Sequence, residues 1–450
     1  MRPLRERTHS VIRRGLQPAG HRYSGDFVFF GRKCRRNRPA VPFVYLPLVE
    51  NDPPKGSLRA ERGRRMLFSS WQDRYRMRWE RFYTYVRTTP CSVAECRDDA
   101  AFFTAPPVRD LLDLCEQRSE LSNHLVADLA NHLTELDPFR ACLCGLLIGR
   151  YGERGAGSAD ADRALADRFL YTLNACLQSI ELICERRSIP VEKLLDRPEA
   201  LPHCLCALFA TDPEPAMASF GMGSLATGLL SRLAASRPLR DRLRQEKQVI
   251  PFCEGFGELF DPALVSLPGL LNMAEEGTVI LLSLERRVGV EAAFRQVDSN
   301  FLLFTLLQNL FHREGLLERF GAPKFVYDPV LDKLSRHLPL SKKERVPDLL
   351  EDNAGFDYYA PSALRADGCF DILHLVWGEG SPCTLPQLDG KNLLLLAPLT
   401  LPRRWGEEFI LGSHPQLRPA ATITRLLDEA EVASLTARIR TLNLSKTGNQ

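Results

Sequence analysis

From about residue 107 to 350, apolar residues recur at i, i+3, i+4 and i+7, the spacing that gathers one face of a helix. The runs cover 108–121, 125–136, 138–151, 160–187, 191–195, 200–210, 217–235, 238–248, 251–260, 262–274, 278–286, 290–296, 300–311, 329–338 and 346–350. Proline sits at or near the first turn of several of them (Pro138, Pro238, Pro251, Pro262, Pro329), where its missing N–H costs nothing. Short polar or glycine breaks follow each run. Helices of this length joined by short loops become antiparallel neighbours, so the pattern predicts a helical array or bundle. A further helix is predicted over 66–89. There Trp71, Tyr75, Trp79 and Tyr83 (or Phe82) form one face, and Arg74, Arg76, Arg78 and Arg81 crowd its flanks.

After about residue 352 the period changes. Residues 368–377 read as a strand, and 392–398 as a short strand buried on both sides. Residues 408–411 read as another strand and 420–430 as a helix. Residues 434–444 alternate and fit either. The fold class expected is mainly α: an antiparallel helical array or bundle over 66–350, then a small α/β domain over 351–450. Ahead of them, 24–65 is an extended basic arm, because Pro39, Pro42 and Pro47 forbid a regular central strand. Two strings, 141–146 and 203–208, resemble each other 62 residues apart, the length of two helical-pair repeats of about 31 residues.

Composition narrows the class. The chain has 450 residues, 44% of them hydrophobic, enough to bury a sizeable core. No apolar run approaches the roughly 18 residues of a membrane span, so no membrane insertion is expected. Charge is polarised: residues 1–90 carry 21 Lys and Arg against 7 Asp and Glu, whereas the whole chain is only +3. A basic limb on an acidic body meets polyanions, because each cation beside a phosphate releases condensed counterions. RNA is the favoured partner; packing of the limb on its own body and an anionic lipid surface are the alternatives. Residues 1–23 hold Arg2, Arg5, Arg7, Arg13, Arg14 and Arg22 with one acid, Glu6, and so read as a mitochondrial transit peptide. The expected compartment is the mitochondrial matrix, with the nucleus as alternative, since Arg32–Arg38 would also serve as a nuclear signal.

The candidate RNA-binding residues are Arg32, Lys33, Arg35, Arg36 and Arg38 on the arm and Arg74, Arg76, Arg78 and Arg81 on the helix, all neutralising phosphate. Trp71, Tyr75 and Trp79 would stack on unpaired bases. A tryptophan stripe at helical spacing also describes an ordinary core helix. Cys91 and Cys96, with His124 and His132 downstream, allow a zinc site. Cys142/Cys144 and Cys204/Cys206 do not, because side chains two apart on a helix point apart; buried thiols explain them better. Asp371, Asp389 and Lys391 imitate a nuclease triad of two metal-binding carboxylates and a lysine, although Asp389-Gly390 is better explained as a hairpin turn. No Gly-x-Ser-x-Gly or His-Glu-x-x-His occurs, and neither cofactor nor metal is expected.

A helical array followed by the segments 370–376, 392–397, 422–430 and 435–444 resembles the organellar helical-repeat RNA-binding proteins that end in a RAP-type domain. The chain departs from that family in lacking its acidic Asp-Gly-Pro strand end and its aromatic-rich last strand. The resemblance implies RNA binding and a tail similar to a restriction-endonuclease core. The expectation is therefore a non-catalytic mitochondrial RNA-associated protein, a component or assembly factor of the mitochondrial ribosome, bound to ribosomal or other organellar RNA and to protein subunits. The alternatives are an armadillo- or HEAT-like interaction scaffold in nucleus or cytosol, and an RNA-processing nuclease.

Overall fold

A computed structural model describes residues 59–322, 325–341, 344, 354–400 and 417–447, with side chains from Trp71 as far as Leu444. The chain is mainly α, with a small mixed sheet in its C-terminal half. The helices begin with α1 (Arg59–Thr88), α2 (Val93–Arg97), α3 (Ala100–Thr104), α4 (Pro106–Gln117) and α5 (Ser122–His132). There follow α6 (Pro138–Glu153), α7 (Ala159–Arg187), α8 (Val191–Leu195), α9 (Leu201–Phe209), α10 (Pro213–Ala235), α11 (Arg237–Gln245), α12 (Val249–Phe260) and α13 (Pro262–Leu271). The second half contains β1 (Ala274–Ser283), β2 (Val288–Val297), α14 (Asn300–Arg313), α15 (Leu317–Phe320), α16 (Pro329–Ser335) and β3 (Phe356–Tyr359). It ends with β4 (Gln387–Leu388), β5 (Lys391–Pro398), β6 (Ala420–Leu427) and α17 (Glu429–Thr447).

Local chemistry sets the helix starts. Asp137 accepts from Arg140 N at 3.0 Å and opens α6, with Pro138 at its first turn. Ser158 accepts from Ala161 N at 3.1 Å and opens α7, which ends the glycine-rich loop before it. Ser236, Asp261 and Ser299 cap α11, α13 and α14 in the same way.

The helical body is organised on α6 and α10, which touch through backbone. Gly145, Gly149 and Gly152 recur at i, i+4 and i+7 on α6. A Cβ added at Gly149 would lie 2.3 Å from the Gly228 carbonyl oxygen, and one at Gly228 would lie 2.4 Å from that of Gly145. Around this pair α7, α12 and α13 complete one continuous apolar core. The cysteines Cys142, Cys144, Cys176 and Cys253 are buried in it as free thiols.

Four arginines are also buried in this body: Arg140, Arg168, Arg232 and Arg240. Three have a carboxylate: Glu95 for Arg140, Asp162 for Arg232 and Glu275 for Arg240. Arg168 differs. Its guanidinium lies 4.6 Å from the Tyr171 ring centroid, and among the described residues its Nε and Nη2 have no hydrogen-bond partner.

The sheet has the order β3-β5-β1-β2-β6. β1 and β5 are parallel; the other neighbours are antiparallel, and β4 pairs with the outer start of β5. Val279 and Leu281 of β1, with Leu394 and Leu396 of β5, join α14 in the core on one face. Ile280 and Leu282, with Leu393 and Leu395, join Val432 and Ile439 of α17 on the other.

This burial on both faces explains part of the difference between sequence and structure. Of the segments read as helices, 278–283 lie in β1, 284–286 in the turn that follows it, and 290–296 in β2. In β1 the run Val279 to Leu282 is continuous and covered on both sides, so it carries no period that separates strand from helix; β2 is covered on one face, with Val290, Ala292 and Phe294 buried there in alternation. Residues 420–427, also read as helical, form β6. The helix begins only at Glu429, where Asp428 and Glu431 cap each other's backbone N–H at 2.8 and 3.0 Å. Residues 368–377, read as a strand, form a loop with a 3-10 turn at Ile372–His374, which Asp371 caps. Two of the four segments behind the RAP resemblance thus adopt other structure. The strand reading of 392–398 agrees with β5, and 434–444 falls within α17. The segments 346–350 and 408–411 lie outside the described residues.

Candidate nucleic-acid interface

From Trp71 onward α1 gathers its buried apolar residues on one stripe and is mostly polar and charged elsewhere, with Met77 an exposed exception. Tyr75, Trp79, Phe82 and Val86 form that stripe and are buried against α4, α5 and the loop after α5. The Tyr75 hydroxyl donates to Asp128 Oδ2 at 2.7 Å. Burial first, and that hydrogen bond second, push its pKa far above the ordinary tyrosine value. The Trp79 ring lies 5.4 Å from Phe82, 6.0 Å from Tyr83 and 5.8 Å from His132. Tyr83 donates to Glu135, which also accepts from His132. Tyr75 and Trp79, considered as base-stacking residues, are committed to the core instead: neither ring is open to a base. Trp71 is half-buried, with the guanidinium carbons of Arg74 and Arg118 at 4.6 and 4.4 Å from its ring centroid.

The arginines divide. Arg76 and Arg81 are exposed and form no ion pair among the described residues. Arg74 is exposed and rests on Trp71. Arg78 turns inward and donates to the Asp110 carbonyl oxygen at 2.8 Å, so it ties α1 to α4. Arg87 reaches the Tyr83 hydroxyl at 3.3 Å and Glu135 at 3.8 Å. The solvent face of α1 therefore presents Arg74, Arg76, Arg81 and Arg87, with Asp73 and Glu80 among them. Toward the N-terminus the same helix continues through Arg59, Arg62, Arg64 and Arg65. Arg32, Lys33, Arg35, Arg36 and Arg38 lie outside the described residues.

What holds this helix in place is a joint at its C-terminal end. Arg140 of α6 is 0% exposed. It donates from Nε and Nη2 to both oxygens of Glu95, each at 2.8 Å. Its Nη1 donates to the carbonyl oxygens of Val86 (3.3 Å) and Thr89, and Asp137 lies 3.6 Å away. One guanidinium thus joins the end of α1, the first turn of α2 and the start of α6. Burial outweighs Arg140 at Asp137 and pushes that carboxyl's pKa up. No local sequence signal marks Arg140 as different from a surface arginine. Only its place inside an apolar run, between Phe139 and Ala141, hints that it is buried.

The other constellations do not assemble. Cys91 and Cys96 meet, with Sγ atoms 3.4 Å apart, but His124 packs on Tyr75 and His132 on Glu135. No group of three or more His, Cys, Asp or Glu suited to a metal occurs among the described residues. Asp371 pairs with Arg365 at 3.1 Å and Asp389 with Arg438 at 2.7 Å, so each carboxylate of the nuclease-like set already has a cation. Asp389 and Gly390, with φ of 53° and 77°, are the two-residue turn between β4 and β5. A polar cleft of about 600 Å3 opens beside the sheet, lined by Arg237, Glu275, Glu276, Arg295, Gln296 and Arg418. It draws on four distant stretches of chain, so no local motif announces it. No helix of the described residues is long and apolar enough to cross a membrane.

Comparison with known proteins adds no relative: no protein-family model, no curated protein and no solved structure matches the chain.

Proposed function

We propose that this chain is a non-catalytic RNA-associated protein of the mitochondrial matrix, working within a larger ribonucleoprotein such as the mitochondrial ribosome or an assembly intermediate of it. The observation that carries the reading is the solvent face of α1. Arg76 and Arg81 are exposed without a carboxylate partner among the described residues, and Arg74 and Arg87 flank them. An exposed guanidinium with no carboxylate beside it among the described residues is available to a phosphate. The helix is clamped to an acidic body, so the cations stand on a rigid support rather than on a free tail. The arginine-rich start of the sequence supports the matrix; residues 59–65, expected in the arm, belong to α1, and the arm over 24–58 would extend the contact.

Burial of Tyr75 and Trp79 refines the kind of contact. With those rings in the core, α1 reads backbone phosphate and not unstacked bases, so duplex or folded RNA is the expected ligand. The test is fluorescence anisotropy of the full-length protein with a labelled RNA hairpin over a salt series. Arg76→Gln with Arg81→Gln is expected to weaken binding and to lower the slope of log K against log salt by about 0.7–0.9 for each phosphate no longer neutralised. Unchanged affinity and slope in the double variant would refute the assignment of α1. A single strand bound much more tightly than the hairpin would refute the phosphate-only contact.

A further inference from the structure

We propose that Cys91 and Cys96 are a modification site: a dithiol that closes reversibly to an intramolecular disulfide across the start of α2. This does not rest on the RNA reading.

The geometry is built by the helix start itself. Ser92 is the N-cap of α2, with its hydroxyl accepting from Glu95 N at 3.2 Å. That makes Cys91 the residue before the cap and Cys96 the fourth residue of the helix. In a hydrophobic staple these two positions pack on each other and fix the angle at which the chain enters. Here the packing pair is two thiols, with Sγ···Sγ of 3.4 Å. A disulfide needs about 2.05 Å, so closure brings the sulfurs together by only ~1.4 Å. Among the described residues no other two sulfurs are in hydrogen-bond contact. Cys142, Cys144, Cys176 and Cys253 are sealed in the core, and Cys383 contacts the Asn272 carbonyl oxygen.

Access sets the order of events. Cys91 is half-buried and Cys96 is 5% exposed, so a small disulfide such as oxidised glutathione reaches Cys91 first. The Cys91 thiol loses its proton to solvent and its thiolate attacks one glutathione sulfur. A protein–glutathione disulfide forms and one glutathione thiolate leaves. The Cys96 thiol then loses its proton, attacks the Cys91 sulfur and expels the second glutathione thiolate. The protein gives up two electrons and two protons; the oxidised glutathione is reduced to two glutathiones. The hydrogen bond to Cys96, and then burial, hold the Cys91 thiol protonated, so the first step accelerates with rising pH. The second step needs no diffusion, because its reactants are already in contact.

The location gives the bond a consequence. Glu95, between the two cysteines, is the carboxylate that receives Arg140, and Arg140 holds the end of α1. A disulfide here would fix the α2 entry that presents Glu95.

Both cysteines fall in one tryptic peptide, residues 88–97 (TTPCSVAECR). The full-length protein is incubated natively at graded ratios of oxidised to reduced glutathione, quenched in acid, alkylated, digested and weighed. The proposal expects this peptide two hydrogens lighter and unalkylated at oxidising ratios, returning to the doubly alkylated form when reduced glutathione is restored. In Cys96→Ser, Cys91 is expected to carry a stable glutathione adduct. In Cys91→Ser, Cys96 is expected to remain unmodified, and this second variant tests the order of attack even if the first folds poorly. The proposal is overturned if both thiols remain alkylatable at every ratio. It is equally overturned if the wild-type protein accumulates the glutathione adduct at Cys91 without closing.

Discussion

Arg140 and Arg168 are both buried arginines in the same helical core, and replacing each by methionine should have very unequal consequences. Arg140→Met removes a guanidinium that serves Glu95 through two bonds of 2.8 Å and two further carbonyl oxygens. The Glu95 and Asp137 side chains are only 12% and 20% exposed, so water replaces the missing cation poorly. Breaking a buried pair from one side costs about 3–5 kcal/mol. Arg168→Met removes a guanidinium that, among the described residues, has two nitrogens without a partner and no carboxylate. Relieving them is worth about 1–3 kcal/mol. Giving up the cation–π stacking on Tyr171, at 4.6 Å, takes back about 0.5–2 kcal/mol. The net is near zero or slightly stabilising, so the two variants should differ by about 3 kcal/mol or more. Urea unfolding followed by far-ultraviolet circular dichroism measures this, compared at equal m-values. Glu95→Gln added to Arg140→Met should recover part of the deficit, because it removes a carboxylate left without its cation. The Arg140→Met deficit should also shrink as pH falls. Asp137 already has a raised pKa in the folded chain, and losing its neighbouring cation raises it further. A carboxyl raised on folding binds its proton preferentially in the native state, so the stability it brings is present at low pH and lost as pH climbs through the folded value. Equal destabilisation by the two methionine variants would refute the premise that pairing, and not burial alone, sets the cost.

Three further outcomes are expected. Gly149→Ala should destabilise by about 1–3 kcal/mol despite the better helix propensity of alanine, since its Cβ meets backbone at 2.3 Å. Gly257→Ala, whose nearest neighbour is a Val265 methyl at 3.2 Å, should change far less; thermal melts of the two compare the effects. Glu135 is held below the usual glutamate pKa first by the Tyr83 hydroxyl and then by His132. Its contribution to docking α1 is therefore present above the unfolded-state value and lost as pH falls through the folded one; Glu135→Gln should abolish that acid-side loss in a pH series of Trp fluorescence. Asp389→Asn and Lys391→Gln should leave RNA binding unchanged, because both lie at the β4–β5 turn and Asp389 is paired with Arg438.

Local periodicity determined much of the helical part. The starts at Pro138, Ser158 and Pro262, the aromatic stripe of α1 and the buried run of β5 are each written within a few neighbouring residues, so they could be read directly. The strands β1 and β6 could not, because their identity depends on their neighbours, whereas β2 carries a one-faced alternation of Val290, Ala292 and Phe294 that a period-2 reading reaches. Val279 to Leu282 carry no helical or alternating period once both faces are buried, and β6 is a strand because β2 lies beside it. The same division runs through the candidate interface. The excess of arginine in the first fifth of the chain is a property of composition alone. Which guanidinium groups stay in solvent (Arg76, Arg81), which turns inward (Arg78), and that Arg140 is spent as an internal joint are decided by helices distant in the chain, Arg140 and Val86 being 54 residues apart. Sequence distributes charge along the chain; only packing chooses which charges lose their water, and that loss separates a structural arginine from one free to meet a phosphate.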